Sequence, residues 1–189
     1  MSEGVVFFDR DGTLIPTANY EKAIDVAPRR PEDLKLFPET AEVVNQLRRN
    51  GFLIIIVSNQ PDIALGKINE TTKESLEKRF EELLRENEIN IDAIYYCHDH
   101  PDGINPDYPK ECDCRKPKTG MVFAAVEKFS IDLKKSWVVG DRDKDINMGK
   151  AAGCKTVLIK KLWSKAENCS PDFIVNNLSE VVDIIKKNS

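Results

Sequence analysis

The chain has 189 residues, of which 41% are hydrophobic and 32% charged, with a formal net charge of −4. These values are typical of a globular protein, and we expect residues 1–189 to form a single domain. The acidic balance argues against nucleic acid as a partner. The longest apolar run, 52–57, is too short to cross a bilayer, so no membrane partner is expected either.

Cysteine usage and the first residues bear on the compartment. The segment 1–12 lacks the basic and long apolar stretches of a signal peptide. Five cysteines, an odd number, argue against a disulfide framework in such a chain. We therefore expect a reducing, cytoplasmic setting.

Short apolar runs alternate with helical patterns along the chain. In chain order, the runs that predict strands are 4–9, 52–58, 91–96, 136–141 and 154–159. Their apolarity is continuous rather than alternating, which is typical of strands buried on both faces of a parallel sheet. The segments that predict helices are 38–51, 71–88, 119–129, 143–152 and about 178–187. This alternation predicts an α/β fold with a doubly wound parallel sheet.

Polar residues follow three of the predicted strands directly. In an open parallel sheet, ligands bind beyond the carboxyl ends of the strands. An isolated Asp-x-Asp-Gly is more often a simple turn. Here, however, several strands deliver carboxylates and a hydroxyl to the same edge: Asp9, Asp11, Ser58, Asn59, Asp141 and Asp145.

Five segments resemble, in their order, the signature segments of the haloacid dehalogenase superfamily of aspartate-nucleophile phosphohydrolases: FFDRDGTLI, VSNQPDIALGK, IYYCHDHPDG, ECDCRKPKTGM and VVGDRDKDINMGKAAG. The resemblance extends from residue 4 to about 160. Within the superfamily it is closest to the heptose-1,7-bisphosphate 7-phosphatases and the related histidinol-phosphate phosphatases. It implies a Rossmann-like, capless core and a phosphatase that acts on a small phosphorylated sugar.

The resemblance favours removal of the C7 phosphate of D-glycero-D-manno-heptose 1,7-bisphosphate. Leu65 stands where the heptose enzymes commonly have an arginine, which weakens this preference. The alternatives are histidinol phosphate or another small sugar phosphate. An alternative of a different class is a catalytically idle binding module on the same fold, which would be expected to lack Asp9 or Asp11.

The resemblance also implies catalytic and magnesium-binding roles. Asp9 would be the nucleophile that forms an aspartyl phosphate. Asp11 would protonate the leaving oxygen and later deprotonate the hydrolytic water. Mg²⁺ would be bound by Asp9, the backbone carbonyl of Asp11 and Asp141, with Asp145 in support.

Further residues are expected to contact the substrate. Ser58 and Lys116 would hold the phosphoryl oxygens, and Asn59 and Arg115 would contribute to substrate binding. The segment 12–35 is too short to form a separate cap domain. Within it, residues 17–20 match a substrate-contacting turn of the family.

The segment 97–114 contains three of the five cysteines and both histidines, a composition typical of a zinc site. The resemblance supports this interpretation, because these phosphatases commonly carry a zinc loop of pattern C-x-H…C-x-C. Four protein ligands would make the zinc structural, so that it stiffens the loop at about 97–118. The predicted ligands are Cys97, His100, Cys112 and Cys114.

The fourth ligand is the least determined of the set. The position two residues after Cys97 is Asp99, where the family has histidine, and the two histidines flank it at His98 and His100. We favour His100, because nitrogen suits zinc beside thiolates. Asp99 and His98 are the alternatives.

Overall fold

The computed structural model describes residues 4–17, 27–161, 164 and 166–189. At its centre is a six-stranded sheet with the order β3-β2-β1-β4-β5-β6, in which every neighbouring pair is parallel. The strands are β1 (Val5–Phe8), β2 (Leu53–Asn59), β3 (Ala93–Cys97), β4 (Trp137–Gly140), β5 (Lys155–Ile159) and β6 (Phe173–Val175). The prediction of a doubly wound parallel sheet is confirmed.

Within the described ranges, five α-helices connect or flank the strands: α1 (Thr40–Arg49), α2 (Glu70–Glu86), α3 (Gly120–Lys128), α4 (Asp143–Ala152) and α5 (Glu180–Asn188). Each lies within a few residues of a predicted helix. Asn69 explains where α2 begins, because its side chain accepts a hydrogen bond from the Thr72 amide at 2.9 Å. Gly153 explains where α4 ends, because its φ of +82° is readily adopted only by glycine.

The apolar core has two layers, one on each face of the sheet. Successive residues of a strand point to opposite faces, so Phe8 packs with one layer and Phe7 with the other, and both are fully buried. Helices α1, α2 and α5 cover the first face, and α3 and α4 cover the second. This burial on both faces explains why the strands are apolar without alternation.

Strand order reverses between β1 and β4. The chain proceeds from β1 to β2 and β3 on one side, and then returns to place β4 on the other side of β1. The amide of Asp9 donates to the carbonyl of Val139 at 2.9 Å, so the two strand ends are joined directly. Ligands bind at such a reversal in open α/β sheets, which places Asp9 and Asp141 at the expected position.

Two further observations concern the described ranges. None of the helices within them is both long and apolar enough to cross a membrane. Of the turn predicted at 17–20, Thr17 is described and buried, whereas residues 18–20 lie outside the described residues.

The two-layered core generates a stability prediction. Ile55 is fully buried at the centre of β2, whereas Ile174 on the edge strand β6 is 60% exposed. We expect Ile55→Ala to lower the free energy of unfolding by about 2–5 kcal/mol, because it leaves a cavity. The matched Ile174→Ala variant should change it by no more than about 0.5 kcal/mol. Urea unfolding measures both, and equal losses would contradict this description of the core.

Candidate active site

The Lys116 ammonium group lies between two buried carboxylates at the carboxyl edge of the sheet. Its Nζ is 2.6 Å from Asp9 Oδ1 and 2.6 Å from Asp145 Oδ1, and it donates to the Val57 carbonyl at 2.9 Å. Burial acts to lower the pKa of Lys116, but the charges of Asp145 and Asp9 raise it above its ordinary value. The lysine therefore stays charged, and its three N–H donors all have acceptors.

Three buried carboxylates converge around this lysine. Oxygen atoms of Asp9, Asp141 and Asp145 lie within 4.8 Å of one another. Burial, together with the charge of Asp9, raises the pKa of Asp145 to about 6, against the opposing charge of Lys116. Arg142 lies beside the third carboxylate, with its Nε 4.0 Å from Asp141 Oδ1. Because every converging donor is an oxygen, the cluster suits a hard divalent cation such as Mg²⁺.

The loop that follows β1 is tightly closed and brings its backbone against this cluster. The Leu14 and Ile15 amides both donate to the Arg10 carbonyl, at 2.9 and 3.1 Å. Gly12 has a φ of +89°, and a Cβ atom at this position would collide with the Asp141 carboxylate. A glycine is therefore required here, both for the turn and for the close approach of the backbone to Asp141.

The Asp11 side chain is held by two residues for which the sequence predicted no role. Arg10 donates to both of its carboxylate oxygens, and Gln60 donates to Oδ2. The only signal in the sequence is position, because Arg10 separates the two aspartates and Gln60 ends the SNQ segment.

The residues that end β2 behave differently from one another. Asn59 lines the cleft, and its side-chain amide makes two hydrogen bonds to the backbone of Lys116, at 3.0 and 3.2 Å. It therefore fixes the segment that supplies the lysine. Ser58 is buried beneath the cleft, and its hydroxyl accepts a hydrogen bond from Gln60 at 2.9 Å.

Positive side chains surround the opening of the cleft: Arg29, Lys67, Arg115, Arg142 and Lys144. Burial lowers the pKa of Lys144, and the nearby charge of Arg115 lowers it further. This arrangement can attract an anion larger than one phosphoryl group. The sequence predicted only Arg115 of this group, because the five residues come from four separate segments.

The predicted zinc loop brings three cysteine sulfurs and one carboxylate together. Ligand atoms of Cys97, Asp99, Cys112 and Cys114 lie within 4.8 Å of one another. The sulfur of Cys112 is 3.5 Å from that of Cys97 and 3.2 Å from that of Cys114. Thiolates with a carboxylate form a donor set that suits zinc. The structure also records Cys97 and Cys114 as a disulfide, a pairing that the cysteine count did not predict.

His100, the fourth ligand favoured by the sequence, makes a different contact. Its Nδ1 accepts a hydrogen bond from the Asp102 amide at 3.1 Å and is not part of the thiol cluster. His98 is turned toward helix α2. Asp99 Oδ2, in contrast, lies 3.6 Å from Cys114 Sγ, so this carboxylate faces the cysteines and the two histidines face elsewhere.

Comparison with known proteins is consistent with this architecture. A family model described as HAD-hydrolase-like matches residues 113–181. The D-glycero-beta-D-manno-heptose-1,7-bisphosphate 7-phosphatase of Escherichia coli is 32% identical over 186 residues, which cover 96% of this chain and 93% of the relative. The D-glycero-alpha-D-manno-heptose-1,7-bisphosphate 7-phosphatase of Photorhabdus laumondii is 34% identical and covers 96% of both chains.

A solved structure with the same fold is the D,D-heptose 1,7-bisphosphate phosphatase of B. bronchiseptica in complex with magnesium and phosphate. It superposes with a TM-score of 0.76 at 20% identity, covering 98% of this chain and 99% of the other. At that identity the likeness supports the shared fold.

Proposed function

Because the chain belongs to the haloacid dehalogenase-like hydrolases, in the branch of the heptose-1,7-bisphosphate 7-phosphatases, it is a phosphatase, and we propose that it releases the C7 phosphate of a D-glycero-D-manno-heptose 1,7-bisphosphate. The observation that carries this proposal is the pairing of the Lys116 ammonium with Asp9 beside two further buried carboxylates. Residues 1–189 would act as one capless phosphatase domain.

In the proposed reaction, a carboxylate oxygen of Asp9 attacks phosphorus and forms an aspartyl phosphate. The bond from phosphorus to the sugar oxygen breaks, and Asp11 gives that oxygen a proton. Water then attacks the phosphorus of the aspartyl phosphate while Asp11 takes its proton, which releases inorganic phosphate and restores Asp9. Lys116 holds the charge of the phosphoryl oxygens near Asp9 throughout.

Mg²⁺ would be held by Asp9, Asp141 and the backbone carbonyl of Asp11, with Asp145 fixing Lys116 beside them. Its chemistry there would be to neutralise phosphate charge and align the phosphoryl group with Asp9. Two features of the chain support this assignment. The converging side chains offer only oxygen ligands, and Gly12 leaves room for the backbone to approach Asp141.

The positive opening of the cleft supports a substrate with two phosphates. One phosphate would occupy the site of Asp9, and the second would lie among the surrounding arginines and lysines. Leu65, which stands where the heptose enzymes commonly have an arginine, is not among the described residues that line the cleft, whereas Lys67 is. Lys67 can therefore supply a cation from the same segment.

A phosphate-release panel tests the proposal as a whole. It would contain both anomers of heptose 1,7-bisphosphate, since relatives that act on each are similar to this chain, together with histidinol phosphate and common sugar phosphates. We expect Mg²⁺-dependent release of one phosphate from C7, with the C1 phosphate retained. Faster turnover of histidinol phosphate would overturn the substrate assignment.

The first functional prediction concerns the nucleophile. Asp9→Asn keeps the shape of the side chain but removes its attacking charge, so turnover should fall by several orders of magnitude. Asp11→Asn should also lose most activity, and the exposed Asp107→Asn should lose none. Steady-state kinetics and circular dichroism check rate and folding together. A folded Asp9→Asn protein with a near-normal turnover rate would contradict the covalent mechanism.

The second prediction concerns the distal phosphate. Arg115→Ala should lower kcat/KM for heptose bisphosphate by about 10- to 100-fold, the worth of a charged hydrogen bond. It should affect para-nitrophenyl phosphate much less, because that compound has no second phosphate. Arg49→Ala, on the exposed side of α1, is the control. Zinc content must be measured as well, since Arg115 also donates to the Asp99 carbonyl. Equal losses of kcat/KM on both substrates would contradict a role of Arg115 in recognising the second phosphate.

The zinc site is part of the same proposal, with Cys97, Asp99, Cys112 and Cys114 as ligands. Four protein ligands leave no open position, so the metal would be structural and would stiffen the segment that ends at Lys116. The disulfide between Cys97 and Cys114 would be its oxidised alternative. A reducing cytoplasm, as expected from the sequence, would favour the thiols.

The third prediction concerns this zinc. Protein purified with a reductant and without chelators should contain about one zinc ion per chain. Cys112→Ser should release it and lower the melting temperature, with less loss of activity than Asp9→Asn. Asp99→Ala should weaken zinc binding, whereas His100→Ala should retain it. If reduced wild-type protein contains no zinc, the proposed zinc site is wrong. If His100→Ala loses zinc and Asp99→Ala does not, His100 is the fourth ligand.

A further inference from the structure

Arg10 lies buried between the two proposed catalytic aspartates, with only 1% of its surface exposed. Its guanidinium carbon is 5.4 Å from the ring centre of Phe80 and 5.7 Å from that of Tyr96. Its Nε and Nη2 atoms donate to the two carboxylate oxygens of Asp11, at 3.1 and 3.2 Å. Two rings and a bidentate pair therefore hold the guanidinium in one orientation.

Gln60 approaches the same carboxylate from β2. Its side-chain Nε2 donates to Asp11 Oδ2 at 2.5 Å and to the Ser58 hydroxyl at 2.9 Å. Its backbone is tied to the beginning of the zinc loop, because its amide donates to the Cys97 carbonyl at 2.7 Å and its carbonyl lies 3.1 Å from His98 Nδ1. Since a carbonyl only accepts, His98 Nδ1 is the donor in this contact.

We infer that Arg10 and Gln60 are positioning residues for Asp11, and that the zinc loop acts on protonation of the leaving group through Gln60. The inference rests on the proposed function, because it assumes that Asp11 is the acid and base of a phosphatase.

The backbone contacts of this region explain why the side-chain contacts matter. The turn at 10–15 fixes the main chain of Asp11, so the direction of its carboxyl group depends on rotation of the side chain alone. Arg10 and Gln60 restrict that rotation from two sides. Proton transfer requires the acid within hydrogen-bonding distance of the leaving oxygen, and a displacement of about 1 Å can cost about 100-fold in rate.

A purely structural role for Arg10 would give a different signature. An arginine that merely neutralises a buried charge would, when replaced, slow every substrate to a similar extent. If Arg10 instead orients the acid, its replacement should slow a substrate more when the leaving group of that substrate needs a proton. An alkoxide from a sugar needs one, and para-nitrophenolate does not.

The experiment measures kcat/KM, which reports the steps up to departure of the leaving group, for two substrates. One is heptose bisphosphate or the sugar phosphate that the panel identifies, and the other is para-nitrophenyl phosphate. Gln60→Ala removes one donor, and Gln60→Glu keeps the shape but turns an acceptor toward Asp11. For both variants we expect a fall of about 100-fold on the sugar phosphate and of about tenfold or less on the aryl phosphate.

The arginine is tested by variants of graded severity. Arg10→Met removes the charge and both donors, and Arg10→Lys keeps the charge with a single donor direction. We expect Arg10→Lys to recover part of the sugar-phosphate rate lost in Arg10→Met. If Arg10→Met does not fold, Arg10→Lys and the Gln60 variants still decide the matter. Gln46→Ala and the exposed Arg49→Lys, both on α1, serve as controls and should leave the rates on both substrates unchanged.

The contribution of the zinc loop has its own variant. His98→Ala removes the contact with the Gln60 carbonyl, and it should produce the same selective loss, smaller in size, with zinc still bound. An equal loss on both substrates would refute the part played by the loop.

Failures of the two proposals remain distinguishable. If the wild-type protein hydrolyses neither substrate, the proposed function is wrong. If the wild-type protein hydrolyses both and the Arg10 and Gln60 variants slow both equally, the proposed function stands and the positioning role is overturned.

Discussion

The Lys116 ammonium group joins three elements of this molecule at the site. It pairs with Asp9 after β1 and with Asp145 on α4, and it also donates to the backbone of β2. Asn59 fixes its main chain in turn. Without the ammonium, two buried carboxylates would face each other in a poorly solvated site, and breaking such a pairing costs about 3–5 kcal/mol. The end of β1, strand β2, the beginning of α4 and one loop thus depend on one charge.

The reversal of strand order explains why the partners of Lys116 meet at all. Because β1 and β4 are neighbours, the residues that follow them emerge side by side. Asp145 serves two purposes at this edge. Its Oδ2 accepts from the Arg142 amide at 3.1 Å, which caps α4, and its Oδ1 pairs with Lys116. The beginning of the helix and the catalytic charge arrangement are therefore fixed by the same carboxylate.

The cleft has a buried floor, which holds the reacting groups, and a more exposed opening, which is lined by cations. At the floor, short contacts join Lys116 to Asp9 and Asp145, and Arg10 to Asp11, which keeps these groups in one geometry. At the opening, cations from separate loops surround the cleft. The segment 97–118 contributes to both parts of the cleft, since Arg115 lies at the opening and Lys116 at the floor. A structural metal in this segment would therefore affect recognition and geometry without touching phosphorus.

The sequence by itself determined the parallel sheet and the strand-end carboxylates, because continuous apolar runs and the residues that end them are local features. It also determined that three cysteines belong to one loop. The short strand β6 escaped prediction, since three residues with Ile174 exposed carry little pattern. Only the tertiary structure decided that Asp99 rather than His100 faces the thiols, and that Arg10 and Gln60 hold Asp11. These arrangements depend on the directions of side chains in an irregular loop and on contacts between segments that are distant in the chain. The spacing of residues along the sequence specifies neither.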